Sequence, residues 1–194
     1  MDRLKRLLVG ILQLADRILH RRRHEAAGRL LADLDPPRNI LIVCHGNVCR
    51  SPYLEAALKT ALPDIKIASA GFMGPGRPVP PFALEVSAKR GLDLSQFRSR
   101  PLVPATARDA DLIIVMDQRQ ARYLTSYLRV DPSRIVIAGD LDPRPASTRV
   151  IEDPWQQPIE AYVSAFDRLD RCAAILLKYF GAKSPPQSVR QTDR

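Results

Sequence analysis

Apolar residues fall into four short runs, at 39–44, 65–69, 111–116 and 134–138, rich in Val, Ile and Leu. Runs this short, with apolar side chains at successive positions, predict strands covered on both faces. Between them, at 52–62, 79–90, 118–127 and 158–180, the pattern lengthens to that of amphipathic helices. Alternating strand and helix predicts an α/β fold: a single doubly wound domain, a four-stranded parallel sheet flanked by helices. A chain of 194 residues has length for one such core and little for a second. In sheets of this kind ligands gather outside the carboxyl ends of the strands. The loop after the first strand is therefore where chemistry is expected.

Residues 1–38 precede that strand and form a separate basic extension. Leu4, Leu7, Leu8, Ile11, Leu12, Leu14, Ala15, Ile18 and Leu19 share one face of a helix, while Arg3, Lys5, Arg6, Gln13, Asp16, Arg17 and His20 take the other. A basic amphipathic helix over 3–23 either lies on an anionic membrane surface or packs on the domain or a partner protein. The leucine-rich face needs a cover in water, which favours packing or docking. Leu7–Ala15 is too short to span a bilayer, and no small-residue cleavage site follows it, which argues against a signal peptide. The α/β domain is expected over 39–181. Residues 182–194, polar and containing Pro185-Pro186, read as a disordered tail.

Charge and cysteine usage narrow the function classes. The net charge is +9 and the pI about 9.9, but aromatic residues make up only 6% and no nucleic-acid-binding motif is present. No nucleic-acid partner is expected; the basic balance suits phosphorylated, acidic or membrane-bound partners. Arg77, Arg98 and Arg100 are candidates for the mouth of such a site. Three cysteines without paired spacing give neither a disulfide framework nor a zinc site, and no metal is implied.

The loop Cys44-His45-Gly46-Asn47-Val48-Cys49-Arg50-Ser51-Pro52 carries the chemistry. A strand, a tight loop and a helix start in that order aim free amides and the helix dipole at one point, which makes an anion site. This phosphate loop lies between the first strand and the first helix of the domain. Helix N-termini and nearby cations stabilise thiolates, and a thiolate is a good nucleophile, so Cys44 is the candidate nucleophile. Arg50 offers a planar fork for two phosphoryl oxygens, and Ser51 can donate its hydroxyl to the sulfur. Gly46 and Asn47 tolerate positive φ. Phosphoryl transfer depends mostly on positioning and charge stabilisation, which this loop supplies.

The loop resembles the C-x-G-N-x-C-R-S-P signature of the low-molecular-weight protein tyrosine phosphatases, with every fixed position filled. Further landmarks of that family follow in order: Ser69-Ala70-Gly71, Gly91-Leu92-Asp93-Leu94 with Arg98-Ser99-Arg100, Ala110–Asp117, and Glu152-Asp153-Pro154-Trp155. The resemblance runs from about Arg38 to Gly181; the N-terminal extension departs from it. It implies hydrolysis of phosphotyrosine in proteins through a phosphocysteine, with Cys44 as nucleophile, Arg50 as phosphate clamp and His45, Gly46, Asn47, Val48, Cys49 and Ser51 as the binding loop and its supports. It makes Asp153 the general acid, and then the base for the hydrolytic water. Asp142-Pro143 is a second Asp-Pro pair; Asp153 is preferred because Trp155 follows it and can wall a phenyl ring. His45 replaces the small or apolar residue expected after the nucleophile and is assigned, with Trp155 and Phe72, to the substrate pocket; Met73 is a further candidate wall. Cys49 either packs against the sheet or, as the family implies, forms a redox disulfide with oxidised Cys44. Cys172 is expected to pack in the core.

The Asp-Pro loop lacks an adjacent tyrosine pair, which points to the bacterial type of the family, some of whose members act on tyrosine kinases of polysaccharide export. A thiolate enzyme works best in a reducing compartment, so the cytoplasm is expected, or its face of the inner membrane. No cofactor is implied. Two alternatives remain. An arsenate reductase would share the phosphate loop but need resolving cysteines, and only Cys172 follows Cys49. A non-enzymatic phosphate-binding tether would not need nucleophile and acid together.

Overall fold

A computed structural model describes the backbone of residues 2–181 and the side chains of residues 17–181. The expected tail at 182–194 and the apolar face of residues 4–15 lie outside the described side chains. Strands β1 (Asn39–Cys44), β2 (Lys66–Gly71), β3 (Leu112–Val115) and β4 (Ile135–Ile137) form one sheet in the order β2-β1-β3-β4. All three pairings are parallel, with Ile42 opposite Ser69 and Ile114, and Cys44 opposite Gly71. This is the four-stranded, doubly wound architecture that the apolar runs predict. β1 sits in the interior of the sheet, so the loop leaving its carboxyl end opens at the switch point between β1 and β3.

The pleat sends alternate residues to opposite faces. Ile40, Ile42, Leu112, Ile114 and Val136 pack under helices α2 (Arg50–Ala61), α3 (Pro81–Ala88) and α6 (Ile159–Phe180). Leu41, Val43, Ile113, Val115 and Ile137 face α4 (Pro104–Asp109) and α5 (Gln118–Ser126). Each fully buried aliphatic side chain contributes about 1.5–3 kcal/mol. On the first face Tyr53 stacks on Phe166 with ring centroids 4.0 Å apart, fixing α2 against α6. Cys172 lies in this core and donates to the carbonyl of Ala138 at 3.0 Å; burial, foremost, pushes its thiol up to about 12. Helix α4 has no counterpart in the hydrophobic pattern: six residues led by a proline are too few to show a helical period.

The N-terminal helix α1 (Asp2–Asp33) joins the first face, where Ala27 and Leu31 are buried in the same cluster. The sequence assigns His20 to the polar face and Ile18 and Leu19 to the apolar one; the structure reverses this at the point of docking. His20 is buried, with Nε2 donating to the carbonyl of Asp142 at 2.8 Å, whereas Ile18 and Leu19 are about half exposed. His24 Nδ1 lies 2.9 Å from the carbonyl of Asp140. These two carbonyls, in the turn that follows β4, thus meet the face of α1 that turns inward. Among the described residues no helix is long and apolar enough to cross a membrane.

Candidate active site

The loop between Cys44 and Arg50 closes because Asn47 adopts φ +51°, the left-handed region that asparagine tolerates better than most. Gly46 does not share that conformation. From there the Asn47 side chain ties three elements together. Its Nδ2 donates to Ser51 Oγ on α2 and to Ser69 Oγ on β2, both at 2.8 Å, and its Oδ1 accepts from the Arg100 amide at 2.7 Å. Ser69 in turn donates to the buried carboxylate of Glu55 at 2.5 Å, and Glu55 pairs with Arg100 and Lys59. Gly71 permits the approach: a Cβ there would lie 2.8 Å from the Asn47 nitrogen and 2.9 Å from the His45 oxygen.

Cys44 ends β1 with its sulfur accepting two bonds, from Ser51 Oγ at 3.0 Å and from the Asn47 amide at 3.2 Å. A cleft of about 140 Å³ opens above it, lined by Cys44, His45, Gly46, Val48, Cys49, Met73, Arg77, Asp153 and Trp155. Arg50 lies beneath the loop in the first turn of α2, almost fully buried. Its Nη1 donates to the carbonyl of Ile151 at 2.8 Å, and its Nη2 pairs with Asp153. Its Nε has no hydrogen-bond partner among the described residues, a buried donor of the kind that a bound anion satisfies.

Several residues assigned from the sequence stand elsewhere. Phe72 does not line the cleft; it meets Tyr123 of α5 edge to face at 5.0 Å. Its neighbour Met73 faces the cleft instead. Arg77 lies over the Trp155 ring at 5.0 Å, whereas Arg98 bonds carbonyls of its own turn and Arg100 serves the network under the loop. Cys49 caps α2 as a buried free thiol. Burial, and after it the charges of Asp153 and Cys44, push that thiol far above its ordinary range, so it stays protonated at neutral pH. Asp142 is remote from the cleft: its carboxylate is 1% exposed and held by Arg168 and Arg171. Sequence reasoning missed Glu55, Arg168 and Arg171, each of which reads locally as an ordinary helix-surface charge. Among the described residues no cluster of three or more His, Cys, Asp or Glu could hold a metal ion.

Residues 39–186 match the model of the low molecular weight phosphotyrosine protein phosphatase family. The chain is 33% identical over 135 residues to a probable low molecular weight protein-tyrosine-phosphatase, EpsP, of Ralstonia nicotianae, covering 69% of this chain and 90% of that one. Among solved structures, Vibrio vulnificus Wzb in complex with benzylphosphonate aligns with a TM-score of 0.65 and 31% identity, over 73% of this chain and 98% of that one. The YwlE arginine phosphatase of Geobacillus stearothermophilus aligns with a TM-score of 0.66 and 26% identity, over 73% and 92%.

Proposed function

Because this chain belongs to the low molecular weight phosphotyrosine protein phosphatase family, we propose that it hydrolyses protein phosphotyrosine in two steps through a phosphocysteine. In the first, the Cys44 sulfur attacks phosphorus as the P–O bond to the tyrosyl ring breaks. Asp153 gives its proton to the departing phenolate oxygen. In the second, Asp153 takes a proton from water as that water attacks phosphorus; the S–P bond breaks, and inorganic phosphate leaves. Arg50 holds two equatorial oxygens through both steps. A phosphoryl group that takes the Arg50 fork displaces Asp153 from its ion pair with that residue and leaves the carboxyl available to the leaving oxygen.

The observation that carries this reading is the convergence on one cleft of a doubly hydrogen-bonded thiol, an Asp-Pro carboxyl and an aromatic wall, Trp155. His45 and Arg77 at the rim are the proposed selectors of substrate. Cys172 is buried against Ala138 and cannot serve as the resolving thiol that an arsenate reductase needs. For residues 3–23 we propose docking to a partner protein or a membrane surface, with the enzyme in the reducing cytoplasm.

The test is release of phosphate from a phosphotyrosine peptide, with a phosphoarginine peptide as the competing substrate. Wild type is expected to prefer phosphotyrosine, Cys44→Ser to be inert, and Asp153→Ala to be slowed by about 10²-fold or more. Preference for phosphoarginine would overturn the substrate. Binding of both peptides without turnover would leave a phosphate-binding tether in place of an enzyme.

A further inference from the structure

The segment 148–153, which carries Asp153, lies in neither a helix nor a strand. Ile151 is held by its amide to the Met116 carbonyl at 3.0 Å and by its carbonyl to Arg50 Nη1 at 2.8 Å, and the residues before it are held from α6. Arg168, on α6, donates from Nη2 to the Thr148 carbonyl and from Nη1 to the Val150 carbonyl, both at 2.6 Å. Its Nε turns the other way, to Asp142 Oδ2 at 3.1 Å. Asp142 also takes both Nε and Nη2 of Arg171 at 2.8 Å. A guanidinium is planar, so a carboxylate gripping its Nε sets the direction of the remaining N–H groups. The segment is also pressed close from behind, since a Cβ on Gly139 would fall 2.1 Å from the Arg149 oxygen. Burying a carboxylate between two guanidinium groups gains little or nothing in stability over apolar packing, which leaves the direction it imposes as its use.

We propose that Arg168, oriented by Asp142, is a positioning residue for proton transfer. It holds Thr148 and Val150, and so sets the reach of Asp153 toward the leaving oxygen. Arg168 touches neither substrate nor reacting atoms; its influence passes through the chain between Val150 and Asp153. The second Asp-Pro pair is then the support of the first rather than its rival. This inference rests on Asp153 as the acid.

A series of aryl phosphates from good (4-nitrophenyl) to poor (phenyl) leaving groups separates positioning from mere folding. Loss of acid catalysis weighs most on poor leaving groups. Asp153→Ala is expected to steepen the dependence of kcat/KM, which reports the first step alone, on leaving-group basicity. Arg168→Gln should steepen it in the same sense, lowering kcat/KM for phenyl phosphate about ten- to a hundredfold and for 4-nitrophenyl phosphate much less. Arg171→Gln removes a partner of Asp142 but no bond to 148–150, and should leave the slope as in wild type. In the Asp153→Ala background, Arg168→Gln should add nothing to the slope. If Arg168→Gln does not fold, Arg168→Lys, which keeps the charge without the fork, is read in its place. Equal slowing of all substrates, or an unchanged slope, would overturn the inference. A flat response to Asp153→Ala would remove the acid assignment itself, and this inference with it.

Discussion

Asn47 and Asp142 show how much of this enzyme rests on single polar side chains. Asn47 meets three partners from one left-handed position, and nothing apolar of its size could replace it. Asp142 is the more informative for stability. Burial opposes its charge, but the bond from Arg171, the Arg144 amide and the guanidinium charges outweigh that and hold the carboxyl below the ordinary carboxylate range. A group that binds its proton more weakly when folded stabilises the fold above its unfolded pKa of about 3.9, and loses that contribution as the pH falls through the folded value. Asp142→Asn is expected to cost about 3 kcal/mol or more at pH 7, since Arg168 and Arg171 would face a neutral amide. The gap to wild type should narrow below about pH 4. Denaturant unfolding at both pH values measures it, and a gap that stays constant would exclude Asp142 as the source.

Helix α1 is held to the domain by two histidines as well as by apolar contact. His20→Ala with His24→Ala would leave the carbonyls of Asp142 and Asp140 without these partners, at about 1–3 kcal/mol for each buried group. Amide hydrogen exchange is expected to accelerate over residues 17–33 while β1 and α2 keep their protection; joint loss in all three would mean that the extension and the domain unfold as one unit. The strands were legible within two residues at each end because both their faces are buried, and the phosphate loop because its residues are contiguous. Two features resisted. Phe72 and Met73 are neighbours in the bend that follows β2, one packed on Tyr123 and the other lining the cleft, and composition gives no clue which one meets the cleft. Arg168 finds its partners 18 to 26 positions away, beyond any local pattern.

At the scale of the whole molecule the net charge of +9 would favour the approach of acidic substrates, with Arg77 lining the cleft. Raising salt from about 0.01 M to about 0.1 M shortens the screening length from about 30 Å to about 10 Å. KM for a phosphotyrosine peptide flanked by acidic residues is expected to rise several-fold over that range, and KM for a neutral-flanked peptide much less. Equal responses would assign the effect to the phosphate alone. The bond between His20 and Asp142 spans 122 positions, and that distance is also an interval of time. A ribosome adding about 5–20 residues per second takes about 6–24 s to supply the carbonyl on which His20 comes to rest. Helix α1 is made well before the carbonyl on which His20 rests, and for that interval the buried side of His20 is open to whatever meets the nascent chain.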